Sequence, residues 1–148
     1  MKYKAIIPDW NSGLNELLNH QEKRYDPRTR RMRVFNTEKT KNERKICKCL
    51  KEQGLDRVVL KTPIAIRYCI YAKDKKHDRQ NLGSCLDKCF CDALQTLKVL
   101  RNDGWNEIVD IDFDYFVDSK NPRAEIEIEE LTASQVQKRQ TKQEGKRV

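Results

Sequence analysis

Apolar residues recur along this chain with different periods, and the changes of period mark its elements. Residues 2–7 form a short apolar–polar run stopped by Pro8, which predicts a first strand. Residues 9–33 keep no period and hold the turn signals Asn11-Ser12-Gly13 and Asp26-Pro27. They read as a loop, with Arg28-Thr29-Arg30-Arg31-Met32-Arg33 in it or just after it. A helix is expected from Asn36 or Thr37 as N-cap, with Val34 and Phe35 placed to staple the first turn. It carries Ile46, Cys49 and Leu50 on one face and stops at Gly54. After Pro63, residues 64–71 alternate, with Ile64, Ile66, Tyr68 and Ile70 on one side, which is the strongest strand signal in the chain. A polar loop over 73–80 follows.

From Asn81 the positions Leu82, Cys85, Leu86, Cys89, Phe90, Ala93, Leu94, Leu97 and Leu100 recur every three or four residues, as in an amphipathic helix. The period then returns to two. Val109, Ile111, Phe113, Tyr115 and Val117 share one face, while Asp110, Asp112, Asp114 and Asp118 share the other. Ser119-Lys120-Asn121-Pro122 makes a turn, and Ala124, Ile126 and Ile128 alternate with Glu125, Glu127 and Glu129. This predicts a β-hairpin with one dry and one acidic face. The order β-α-β-α-β-β describes an α+β domain over residues 1–131, a small mixed sheet with two main helices. The polar, basic stretch 132–148 lacks aromatics and reads as a disordered tail.

Composition narrows the class. The 148 residues suit one domain, and no run of about 18 apolar residues is present to span a membrane. The first residues lack a secretory pattern, so a cytoplasmic protein with reduced cysteines is expected. The net charge of +8 is unevenly placed: residues 1–80 carry +11, residues 107–130 carry −7 and residues 131–148 carry +4. A basic half attracts polyanions through counterion release, which makes nucleic acid the first partner to weigh against ordinary solubility charge.

Three groups of residues are candidates for chemistry. Cys47-Lys48-Cys49 and Cys85-x-x-x-Cys89-x-Cys91 contain the ligand type zinc takes, yet both lie inside helical patterns, where free cysteine packs as a small apolar residue. Asp110, Asp112 and Asp114 form an acidic row, which an alternating strand most simply presents to water. Asp78 stands between a strand and a helix, the ordinary place for a cap. Lys88 and Asp92 are spaced i, i+4 and can pair, and Asp103 follows the helix. Carboxylates around a hard cation, with a lysine nearby, are what metal-dependent phosphodiester cleavage requires.

Asp78-Arg79-Gln80-Asn81, then Lys88-x-x-x-Asp92-Ala93-Leu94, then Val99-Leu100-Arg101-Asn102-Asp103-Gly104-Trp105 resemble the RusA family of Holliday junction endonucleases, which are common in prophages. Asn121-Pro122-Arg123 and the following Glu/Ile alternation extend the likeness over roughly residues 58–131. It is looser over 1–57, where Gly13-Leu14-Asn15 takes the place of a Ser-x-Asn loop. The resemblance implies a homodimer that resolves four-way DNA junctions by paired nicks in recombination and repair, using Mg²⁺ or Mn²⁺ and no small-molecule cofactor, and nucleoid-associated when acting.

In that scheme Asp78 and Asp103 are acidic ligands and Lys88 steadies charge at the scissile phosphate. Arg28, Arg30, Arg31, Arg33, Lys75, Lys76 and Arg79 would meet DNA. The long helix would join the dimer core through Phe90. Gln80 stands where the family has a second metal-binding aspartate, and Asn102 replaces the first member of the later acidic pair. Gln80 is a neutral oxygen donor, so the resemblance also accommodates a weakened or inactive branched-DNA-binding protein.

Overall fold

The computed structural model describes residues 1–10, 21–76 and 78–145. Gly13-Leu14-Asn15 and His77 lie outside the described residues. Strands β1 (Lys2–Pro8), β2 (Gln21–Asp26) and β3 (Arg31–Asn36) precede helix α1 (Thr37–Glu52). Then come β4 (Ile64–Ala72), α2 (Arg79–Thr96), β5 (Ile108–Val117), β6 (Arg123–Glu130) and α3 (Ala133–Gly145). The class is the expected small mixed α+β; among the described residues it has a mixed four-stranded sheet and three α-helices, where two main helices were expected.

That sheet runs β1-β6-β4-β5, with β4 antiparallel to β6 and parallel to β5. The alternation of β4 sends Ile64, Ile66, Tyr68 and Ile70, all fully buried, toward the helices. Helix α2 answers with Leu82, Cys85, Leu86, Cys89, Phe90, Ala93 and Leu94. Helix α1 contributes Ile46, Cys49 and Leu50 to the same core, as their spacing predicts. Gly54, at φ 74°, follows α1 in the left-handed conformation expected of a stop.

Four expectations need correction. Strands β5 and β6 do not pair as a hairpin, because β4 lies between them. Helix α2 is the crossover a parallel β4–β5 pair requires. Residues 118–122 then carry the chain over to the far side of β4, where Ala124, Ile126 and Ile128 register against Ile70, Tyr68 and Ile66. Arg123 fixes this crossing by bonding Asp118 at 3.1 Å and Glu125 at 3.0 Å, with its guanidinium 3.8 Å from the Tyr71 ring centroid. A period of two gives the faces of a strand but not its neighbours.

Second, the stretch read as a loop contains the β2–β3 ribbon, closed by a turn over residues 27–30 with Arg30 at φ 54°. Strand β2 is charged on successive positions and shows no alternation, and the short alternation over residues 31–34 in β3 is broken by Phe35. Third, Ala133–Gly145 is helical rather than disordered. Thr132 and Gln135 bond reciprocally, Thr132 N to Gln135 Oε1 at 2.8 Å and Gln135 N to Thr132 Oγ1 at 3.3 Å, which is a capping box. Arg139 ties the helix to Asp110 and Glu129.

Fourth, Phe90 is wholly buried within one chain, edge-on to Tyr68 at 5.9 Å between centroids, and is not part of an outward face. Phe90→Ala should therefore lower the unfolding free energy of the single chain by about 3–5 kcal/mol in urea titration. Unchanged stability with weakened self-association would return this side chain to an interface.

Candidate nucleic-acid interface and acidic site

Asp78 is the N-cap of α2. Its Oδ1 accepts the Gln80 backbone N–H at 3.0 Å, so the ordinary structural role of an aspartate at this place is filled. Gln80 lies exposed in the first turn, beside exposed Arg79. Lys75 and Lys76 are exposed in the preceding loop, where Asp74 Oδ1 accepts the Lys76 N–H at 3.0 Å. The loop before α2 and its first turn thus carry one capping carboxylate, Asp78, and three exposed cations, Lys75, Lys76 and Arg79.

The Tyr115 hydroxyl belongs to the same end. Its pKa is raised, first by burial and then by the negative charge of Asp78, with Arg79 opposing. Helix and strand meet there through Gly83: a Cβ at this position would overlap the Tyr115 hydroxyl and press on the Phe113 ring.

Asp103 stands beyond the other end of α2. It is exposed in the turn before β5, its N–H donating to Asn102 Oδ1 at 2.9 Å. This turn joins the Ile64 end of β4 through Ile64 N–H to Glu107 O at 2.7 Å, whereas Asp78 follows the Ala72 end. Asp78 caps the start of the 18-residue α2, whereas Asp103 lies near enough to Cys91, toward the C-terminal end of that helix, to act on its thiol. Trp105, 96% exposed, projects from the same turn.

Between these ends lies a group that spacing did not single out. The buried Tyr68 hydroxyl donates to Asp87 Oδ1 at 2.6 Å, and the Cys91 thiol reaches the same oxygen at 3.5 Å. Burial pushes the Cys91 thiol far up, the Asp87 charge adds to it, and the more distant Asp103 contributes in the same direction. Burial likewise raises the Tyr68 phenol well above its ordinary value. Asp87 was legible in principle, as an acid between apolar Leu86 and Cys91 on a helix packed against a strand bearing tyrosine.

Lys88 is exposed on α2. Asp92 does not pair with it. Asp92 faces α1 and bonds Lys39 at 3.0 Å. The outer acidic face is ion-paired as well as solvated: Asp114 bonds Arg67 at 2.6 Å, Glu125 bonds Lys4 at 2.8 Å, and Arg139 bridges Asp110 and Glu129. Arg28, Arg30 and Arg31 are exposed on the β2–β3 ribbon, and Arg33 lies within β3. The basic candidates therefore occupy two places, the ribbon and the mouth of α2.

Carboxylates suit Mg²⁺ chemically, but among the described residues no three His, Cys, Asp or Glu side chains are grouped to hold a metal ion. Asp78 and Gln80 share the N-terminal end of α2, and Asp103 follows the C-terminal end of that helix in the chain. No helix among the described residues is long and apolar enough to cross a membrane. Comparison with known protein families and with curated proteins finds no match for this chain.

Two outcomes check this geometry. Alanine favours helix by about 1 kcal/mol over glycine. Gly83→Ala should nevertheless destabilise the fold, by about 1–3 kcal/mol, because the new methyl overlaps Tyr115. Adding Tyr115→Phe should recover part of the loss in denaturant titrations, and no recovery would show that the overlap is not the cause.

Glu125 gives the second. Its carboxyl is held below the ordinary value of 4.5, first by the Lys4 hydrogen bond and then by Arg123. A depressed folded-state pKa contributes stability at neutral pH that is lost as pH falls through the folded value. Glu125→Gln should therefore flatten the acid limb of a stability–pH curve below about 4.5, and also the alkaline limb above about 10.5, because the same carboxylate raises the Lys4 pKa.

Proposed function

We propose that this chain is a RusA-like endonuclease that acts as a homodimer on four-way DNA junctions, nicking opposed strands with Mg²⁺ or Mn²⁺ in recombination and repair. The observation that carries the reading is the mouth of α2, where Asp78 is presented among exposed Lys75, Lys76 and Arg79. Exposed cations and the positive end of a helix both favour a phosphate there. Lys88, exposed nearly three turns further along α2, supplies a point charge for the phosphate. The motif pieces that carry the resemblance also form one continuous unit, β4–α2–β5. The reading brings a cytoplasmic, nucleoid-associated setting with it.

The separation of Asp78 from Asp103 makes the dimer part of the proposal. A two-fold axis that sets two α2 helices antiparallel would bring the N-terminal end of each toward the C-terminal end of the other. Each acidic site would then draw Asp78 from one chain and Asp103 from its partner, and cation binding would be a property of the pair. The second reading, a branched-DNA-binding protein without cleavage, is favoured by two features: neutral Gln80 lies in the first turn, and Asp78 is engaged as a cap.

The test is nicking of a labelled four-way junction with Mg²⁺ or Mn²⁺ by wild type, Asp78→Asn, Asp103→Asn and an equimolar mixture of the two variants. Both variants should be inactive alone. Mixing should restore single nicks, because half of the sites in each mixed dimer are then intact. Wild type no more active than Asp103→Asn, while still binding junctions, would leave the binding reading. Active wild type without restoration on mixing would place each site within one chain.

A further inference from the structure

The four-stranded sheet does not account for the β2–β3 ribbon. The two strands pair with each other and with no strand of that sheet, and a two-stranded hairpin by itself is marginal in water. Residues 21–36 hold six basic residues, Lys23, Arg24, Arg28, Arg30, Arg31 and Arg33, against two acidic ones, Glu22 and Asp26. The register makes Arg24 and Arg33 cross-strand Cα partners.

At the tip, Arg28 and Arg30 stand in the turn and Arg31 opens β3. All three are exposed, and none joins an ion pair among the described residues. Asp26 is buried, and its Oδ1 accepts the Arg28 backbone N–H at 2.9 Å, which shapes the turn. Next to it Tyr25 and Met32 are cross-strand partners, 61% and 62% exposed. This uncovered apolar pair, next in the chain to a turn that carries Arg28 and Arg30, fits a partner that offers both phosphates and the apolar edges of sugars and bases.

We propose that the β2–β3 ribbon is a DNA-groove arm. It lies in the major groove of a duplex, whose width of ~12 Å admits a two-stranded ribbon. Arg28, Arg30 and Arg31 bind phosphates, and Tyr25 and Met32 pack on sugar and base edges between them. The arm rests on the DNA reading above and gives that reading a binding surface separate from the acidic site.

The experiment uses the full chain with a labelled duplex and a labelled four-way junction, measuring affinity by anisotropy across a salt series. The combined variant Arg28→Ala, Arg30→Ala, Arg31→Ala should bind both DNAs more weakly. Its slope of log affinity against log salt should fall by about 2–3, since each phosphate that an arginine neutralises adds ~0.9. Replacing the same three arginines by lysine should keep the slope, which separates charge from unfolding of the ribbon. Tyr25→Ser with Met32→Ser should weaken binding at every salt concentration with the slope unchanged.

Either DNA should also slow trypsin cleavage after Arg28, Arg30 and Arg31. Wild type that binds DNA while its tip is cut at the free rate, with the alanine variant keeping the wild-type slope, overturns the arm and leaves the junction reading standing. Absence of binding to either DNA overturns both. Protection of the tip by phosphatidylglycerol vesicles but not by DNA overturns the arm in favour of an anionic membrane surface.

Discussion

Everything in this fold is arranged around β4, a strand that must be hydrogen-bonded along both edges while one of its faces is sealed. Its alternation buries Ile64, Ile66, Tyr68 and Ile70 without exposure, so α2 has to lie across that face. A helix following directly on the strand returns the chain to the strand's beginning, and the next strand is then parallel. Parallel β5 takes one edge, and β6, crossing over from β5, takes the other. The positions of Asp78 and Asp103 at opposite ends of α2 follow from this arrangement and not from any requirement of a site. The same constraint accounts for Asp87, whose hydrogen bond with Tyr68 exists because β4 carries a tyrosine where the helix passes over it.

The charge asymmetry of the sequence is resolved by the fold in an unexpected way. The acidic segment that ends in β6 finds cations within the chain: Arg67, Lys4, Arg123 and Arg139 each bond one or more of its carboxylates. Arg139 comes from the stretch that composition alone assigns to disorder. With the acidic face so engaged, exposed cations remain on the ribbon and at the mouth of α2. A net charge of +8 therefore understates how positive those two places are.

What was legible in the sequence is what period and punctuation encode. The strand at 64–71, the helix over the Leu82–Leu94 stripe, the Gly54 stop and the packing role of the cysteines in α2 all follow from local pattern. Pairing partners do not, and the β5–β6 hairpin is the case in point, since a turn of five residues joins neighbours or next-neighbours equally well. The β2–β3 ribbon left little trace because β2 is charged on successive positions and the alternation of β3 spans only four residues. Helix α3 did leave one, the Thr132-x-x-Gln135 box, but polar composition outweighed it. Of the candidate site, Asp78 and Lys88 were singled out through the family resemblance, while Asp87 was hidden because an acid satisfied by a buried tyrosine looks like any helix-surface acid.

The outermost pair of the sheet has a consequence in time. Lys2 registers against Glu129 and Pro8 against Arg123, so β1 waits for nearly the whole chain before it can dock. Closing a loop of that length raises the entropic barrier to folding and slows it relative to a helical protein of equal size. During synthesis the first strand must remain unpaired while the ribbon, α1, β4, α2 and β5 emerge, leaving Ala5 and Ile7 uncovered until β6 arrives. A nascent chain halted before β6 would have a core without its closing strand. Removal of the last core strand should accordingly expose apolar surface to chaperones rather than yield a smaller folded domain.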